Sequence, residues 1–339
     1  MKRWRTSCTR PLKRPLGLVL CLGALTVLAG LASLALGAAD IPPGEVLAAL
    51  LGRGGAVQTQ IVLYARLPRL CGCLLAGSAL AAAGVIIQGV LANPLAAPNV
   101  IGVNAGAGLA AALCCAAAPS SVLLTPIAAF AGALAGVLLV LFISERAGAS
   151  RITLVLAGVA LSSMFSAGID AVLTFFPDAL SGYTDFRIGG VKNLSMARLA
   201  PAFWIILLSL LAALSLSSRL DLLLLGRETA QSLGLPVGGT RMLLLSLAAA
   251  LAGAAVSFAG LLGFVGLLTP HIMRRLIGED SFPLLLCSAL GGALLLTVCD
   301  LLARLLFAPF ELPLGVVLSL AGGPFFLWLL LRQRGGRRT

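Results

Sequence analysis

The chain has 339 residues, 60% of them apolar and 11% charged, with a mean hydropathy of +1.07 and a formal net charge of +12. A soluble domain carries about 25% charged residues, and a globule this poor in charge could not cover its surface in water. These figures exclude a cytosolic enzyme, a disordered chain and a disulfide scaffold. They leave a polytopic membrane protein, and because the apolar runs are continuous rather than alternating, an all-α bundle is expected rather than an outer-membrane barrel.

Lys2, Arg3, Arg5, Arg10, Lys13 and Arg14 make residues 1–15 a basic tail. The start looks like a secretory signal, but its apolar run, 16–37, exceeds the roughly 7–15 residues of a signal core, so it reads as a retained first span. About 20 apolar residues cross a bilayer. Spans are expected at 16–37, 70–91, 98–117, 121–144, 151–175, 199–219, 241–259, 261–275, 282–303 and 312–331. The eighth is short, and hydropathy alone would merge it with the seventh. The permease domain is thus 16–331, followed by a second basic tail, 332–339.

Three stretches between spans stand out. Residues 39–67 read as an outer loop with a short amphipathic piece at 43–51, lying in the membrane interface. Residues 176–199 read as an outer loop with one short helix. The inner loop, 220–240, contains Gly226-Arg227-Glu228-Thr229-Ala230-Gln231-Ser232-Leu233-Gly234-Leu235-Pro236. It is too polar to span and too patterned for a bare linker, and it reads as two short helical pieces around Gly234.

Ten spans put both termini on one side. With the N-terminus inside, only Arg53, Arg66, Arg69, Arg187, Lys192, Arg198 and Arg304 of the 24 basic residues fall outside. That bias places both termini in the cytoplasm. The positive charge then reflects topology and contact with anionic lipid; the basic residues are scattered on loops and tails, which argues against nucleic acid as a partner.

Missing motifs narrow the chemistry. No GxxxxGK[ST] loop is present to cradle nucleotide phosphates, no HExxH, and no GxSxG beside a base; His271 is the sole histidine. The eight cysteines form no CxxC, and seven lie in apolar stretches, so no metal or cofactor is expected. Asp170 and Asp300 are the carboxylates within spans, and a stand-alone ion-coupled carrier would use one of them. Asp300 and Arg304 are spaced for a local ion pair. Asp170 fits either a pathway lining or simple interfacial exposure. Pro94, Pro98, Pro270 and Pro313 are expected to set helix starts and breaks. Gly72, Gly77, Gly84, Gly102, Gly106 and Gly108 are expected to allow close helix packing. His271 is expected to make a structural hydrogen bond, and Gln88 and Asn93 to serve backbone groups freed near Pro94.

A series of motifs carries a resemblance. Arg66-Leu67-Pro68-Arg69 leads into Leu75-Ala76-Gly77-Ser78 and Ala83-Gly84, then Gln88, then Asn93-Pro94-Leu95 and Gly102-Val103-Asn104-Ala105-Gly106. Later come Gly263-Phe264-Val265-Gly266, Pro270-His271, Arg274, Asp300, Arg304, Glu311-Leu312-Pro313-Leu314-Gly315 and Gly323-Pro324-Phe325-Phe326. In this order they resemble the FecCD-type permeases, the membrane subunits of ABC importers for iron–siderophore, haem and cobalamin, across most of 16–334. The resemblance implies a homodimer, or pseudo-dimer, of ten-span subunits in the bacterial inner membrane. It also implies two cytoplasmic ABC ATPase subunits that hydrolyse ATP in place of this chain, and a periplasmic substrate-binding protein. It assigns Gly226, Arg227, Glu228, Ala230, Leu233, Gly234, Leu235 and Pro236 to the ATPase coupling loop. Arg66, Arg69 and Arg304 become outward-facing docking arginines for the binding protein. Ala149, Ser150 and Arg151, with Asp170 along the pathway, resemble the inner gate.

Overall fold

The computed structural model describes residues 13–37, 41–118, 121, 123–148, 150–306 and 310–335, so Cys8, Ala149 and most of the two basic tails lie outside the described residues. Among the described residues every regular element is helical. Helix α1 is Lys13–Ala35, α2 Pro43–Leu50, α3 Ala56–Gln60, α4 Leu67–Leu91, α5 Val103–Ala117, α6 Leu124–Arg146, α7 Arg151–Phe175 and α8 Ala179–Ile188. They are followed by α9 Met196–Ser215, α10 Ser217–Leu224, α11 Arg227–Ser232, α12 Val237–Ala259, α13 Val265–Ile277, α14 Ser281–Leu305 and α15 Leu314–Gly335.

Seven helical stretches are long and apolar enough to cross a membrane: α1, Ala56–Leu91, α6, α7, α9, α12 and α14. Helices α5 and α15 are shorter apolar segments. The short eighth expected span falls on α13, whose 13 residues reach only about 20 Å at 1.5 Å per residue. That is less than the bilayer core, so α13 is completed by non-helical backbone. Residues 260–264 supply it inside the protein: Gly260 and Leu262 are buried, and Leu261 N–H bonds Phe186 O at 3.1 Å. Irregular backbone is tolerated at membrane depth only when enclosed in this way. Phe264 turns the chain into α13 with φ of 64°.

The second span departs from expectation. Residues 56–66, read from sequence as loop, are helical and run without a break into α4. Ile61–Arg66 is a π-helical turn, and Leu67 N–H bonds Val62 O, five residues back. Pro68 has no N–H to give Tyr64, so the turn before it widens instead of breaking. Pro270 likewise sits inside α13 rather than at a boundary.

Helix α4 is the centre of the bundle, packed by α14, α12, α13 and α9. In lipid the hydrophobic effect does not favour helix–helix over helix–lipid contact, so close van der Waals packing must hold the bundle. Gly77 of α4 and Gly292 of α14 face each other so closely that a Cβ on either would overlap the other's carbonyl. Gly106 of α5 and Gly132 of α6 do the same.

Candidate functional site

Where α4 starts and α14 ends all three expected docking arginines come together, each with different work. Arg66 Nη1 donates to Leu34 O at 2.7 Å and to Ala35 O at 2.8 Å. Arg304 donates to Ser33 O at 3.2 and 3.3 Å, to Leu36 O at 3.2 Å and to Ser33 Oγ at 2.6 Å. These carbonyls are the unsatisfied C-terminal acceptors of α1, the negative end of its dipole. Arg66 and Arg304 are each 6% exposed, so they secure α1 rather than offering open guanidinium faces to solvent.

Arg69 differs. Its Nε donates to both oxygens of Asp300 at 2.9 and 3.1 Å, and its Nη1 to Glu311 Oε2 at 3.0 Å. Arg304 Nε lies 3.2 Å from Asp300 Oδ2, the i,i+4 pair expected from sequence. That contact is too bent to be a hydrogen bond, so it is an ion pair only. Lys192 Nζ sits 3.7 Å from Glu311. Arg69, Arg304 and Lys192 thus face two carboxylates, Asp300 and Glu311, leaving a positive excess in the cluster. Asp300 is 1% exposed and engaged by two arginines, which leaves it no free oxygen edge to carry an ion. Lys192 and the role of Glu311 were missed from sequence. Nothing local in the chain announces a pairing across 242 residues.

The exposed face of the C-terminal half of α7 is the second region. Asp170 is exposed, and with Asn99, Ser162, Ser163 and Ser166 it lines an open concave face. Serines and a carboxylate at i, i+3 and i+4 spacing on an exposed transmembrane face suit water or another protein surface better than lipid tails.

The third region is the loop expected on the inner side. The two short helices of the inner loop are α10 and α11, and the bend between them is at Gly226, φ +102°, rather than at Gly234 as the sequence reading had it. Gly234, φ +82°, instead ends α11. Its N–H bonds Gln231 O at 2.9 Å and Leu235 N–H bonds Ala230 O at 3.0 Å. This is a Schellman cap, which needs a left-handed residue where Gly234 stands. Ala230 and Leu235 are buried beneath it. Arg227, Glu228 and Leu233 are exposed and Pro236 closes the turn.

Ser150 caps α7 in a reciprocal box with Thr153: its Oγ accepts from Thr153 N–H, and its own N–H donates to Thr153 Oγ1, both at 3.0 Å. Arg151 Nη2 reaches Leu223 O of α10 at 3.4 Å. Asp221 of α10 accepts from Ser281 N–H at 3.0 Å, capping α14. Gln88 joins α4 to α13, donating to Gly266 O at 3.2 Å and accepting from Arg274 at 3.0 Å. Asn93 is exposed and accepts from Leu95 N–H at 3.0 Å. The Nε2 atom of His271 has no hydrogen-bond partner, and the ring packs edge-on against Phe325. Among the described residues no cluster of His, Cys, Asp or Glu could hold a metal ion, and the seven described cysteines are free.

Fold and sites together define a polytopic α-helical membrane permease. The sequence profile of the FecCD transport family matches residues 25–332. The chain is 39% identical over 325 residues to the Fe(3+)-citrate import system permease protein YfmE of Bacillus subtilis (strain 168), covering 95% of this chain and 97% of that one. It is 39% identical over 284 residues to the hemin transport system permease protein HmuU of Yersinia pestis, covering 82% and 85%. A solved inward-facing structure of a metal-chelate type ABC transporter overlays with a TM-score of 0.83 at 29% identity, covering 94% of this chain and 99% of that one. The chain belongs to the FecCD transport family and is a permease subunit of an ABC importer.

Proposed function

We propose that the chain carries an iron(III) chelate inward as one of two identical permease subunits in the bacterial cytoplasmic membrane, both termini inside. The relatives named above support the cargo class, since one is a ferric citrate permease and another a haemin permease. Of the expected cargoes, cobalamin has no support from these relatives. A second copy would meet the polar face of α7, with the cargo passing between the two α7 helices. A periplasmic binding protein would dock at the outer cluster through Arg69 and Lys192, with Arg66 and Arg304 behind them holding the surface in place. Two ATPase subunits would seat the exposed edge of α11.

The observation that carries this reading is how α10 is tied. Arg151 hydrogen-bonds it to the start of α7, weakly at 3.4 Å, and Asp221 hydrogen-bonds it to the start of α14. A push on α11 therefore loads both helices at their cytoplasmic ends, and α7 begins at the proposed gate of Ala149, Ser150 and Arg151. Asp221→Ala tests it. The variant should still bind its ATPase partner but import less chelate per ATP hydrolysed. Unchanged import per ATP would remove α10 from the coupling route.

A further inference from the structure

Between the cytoplasmic ends of α4, α6, α7 and α12, and against α11, lies a half-open cavity of about 60 Å³. Its polar wall holds Arg151, Arg227 and Arg241, with Glu145 as its one carboxylate. The charges of Arg151 and Arg227 are close enough to act on Arg241. Among the described residues neither Arg151 nor Arg227 pairs with a carboxylate within 4.0 Å, so Glu145 does not neutralise them. The Nε atom of Arg151 is buried without a hydrogen-bond partner.

Like charges gathered on one cavity repel, and apolar walls strengthen that repulsion by keeping water out. Leu91, Leu154 and Met242 form such a wall here. The first turn of α12 adds to the positive field. Val237 and Gly238 line the cavity, and Pro236 before them provides no side-chain cap for the helix N–H groups. By contrast, the start of α7 is already capped by Ser150. Guanidinium forks match the paired oxygens of a tetrahedral oxyanion.

We propose that this cavity binds a phosphate-type anion, either free inorganic phosphate or the headgroup of an anionic phospholipid. The bound anion bridges Arg227 at the start of α11 to Arg151 at the start of α7 and to Arg241 on α12. The site stands on the cavity and its charges, and holds whatever the cargo is.

The test uses the purified full chain in nanodiscs, with thermal unfolding as the readout. In discs of neutral phosphatidylcholine, inorganic phosphate is titrated against chloride at matched ionic strength. In a second arm, phosphatidylglycerol replaces part of the lipid and no phosphate is added. A saturable rise in Tm of about 2–4 °C is expected in one arm. A rise with inorganic phosphate identifies a free anion, and a rise only with phosphatidylglycerol identifies a headgroup. Arg241→Gln should remove most of the rise. Arg227→Gln, at an exposed position that threatens no packing, should do the same if Arg241→Gln fails to fold. No saturable rise in either arm, or a rise of equal size in these variants, overturns the site.

Discussion

Arg69 divides its guanidinium between a carboxylate that solvent cannot reach and one that it can. Asp300 is 1% exposed, whereas the Glu311 side chain is 25% exposed on the same surface. An incoming acidic partner therefore competes with Glu311 for Nη1 and leaves Asp300 in place. Glu311→Gln should tighten association with the binding protein by roughly fivefold, since a charged hydrogen bond of about 1 kcal/mol no longer has to be displaced; Arg69→Ala should weaken it. Weaker binding by Glu311→Gln would mean that Glu311 helps docking. No effect of Arg69→Ala would mean that the cluster is not the docking surface. Burial pushes the Glu311 carboxyl up, but the hydrogen bond and charge of Arg69, with Lys192 and Arg304, outweigh it and hold the carboxyl below its ordinary value. A carboxyl depressed on folding stabilises the fold above its unfolded value of about 4.3, and that stabilisation fades as pH falls through the folded value. The stability difference between the parent and Glu311→Gln should thus be flat above about pH 5 and shrink only below it; a difference that shrinks between about pH 6 and 8 would contradict the pairing. Arg304 is a different case. Arg304→Met takes the guanidinium donor from Ser33 and Leu36 at the end of α1 and leaves Asp300 one arginine short, a buried loss of about 3–5 kcal/mol. Denaturant unfolding should show it, and a near-neutral change would mean that α1 is held elsewhere.

At the scale of elements, two glycines test packing and coupling separately. Gly292→Val places side-chain atoms against the Gly77 carbonyl, and overpacking of this kind costs about 1–3 kcal/mol. It should lower stability while leaving the cytoplasmic loop intact. Around Gly234 there is open space, so Gly234→Val meets no neighbour and is strained only by its left-handed backbone, by about 1–3 kcal/mol. Membrane insertion and the packing of the bundle should stay intact, with stability lowered by no more than that strain, while transport uncouples from hydrolysis; normal import would exclude α11 from the ATPase contact. Each of the ten spans expected from sequence falls on a helix, seven of them in stretches long and apolar enough to cross a membrane, because runs of apolar residues report burial in lipid directly. The sequence reading missed 56–66, taken as the end of the loop 39–67, whereas that stretch is helical. The structure buries Arg66 on the end of α1 and accommodates Pro68 with a π turn. It also assigned the bend in the inner loop to Gly234 rather than Gly226. Both are glycines with positive φ, and only the hydrogen bonds tell a hinge between helices from a helix cap.

For the molecule as a whole, the helices run between two polar ends. Helix α14 starts at Ser281 against Asp221 of α10 and carries Asp300 and Arg304 in the arginine cluster at its other end. Helix α4, packed on α14 through Gly77 and Gly292, carries Arg69 outside and Gln88 inside. The pairings that join these helices span 60 to 242 residues of sequence. That explains why individual residue types were legible in the chain and their partners were not. The central claim is that import by this chain is powered by a partner ATPase and not by an ion gradient. Proteoliposomes containing the chain, its ATPase and its binding protein, loaded with or without ATP, test it through uptake of radiolabelled ferric chelate. Uptake should require internal ATP and the ATPase subunit, stop with vanadate, and persist when ionophores collapse all ion gradients. Uptake by the chain alone, driven by an imposed ion gradient and abolished by the ionophores, would contradict the account.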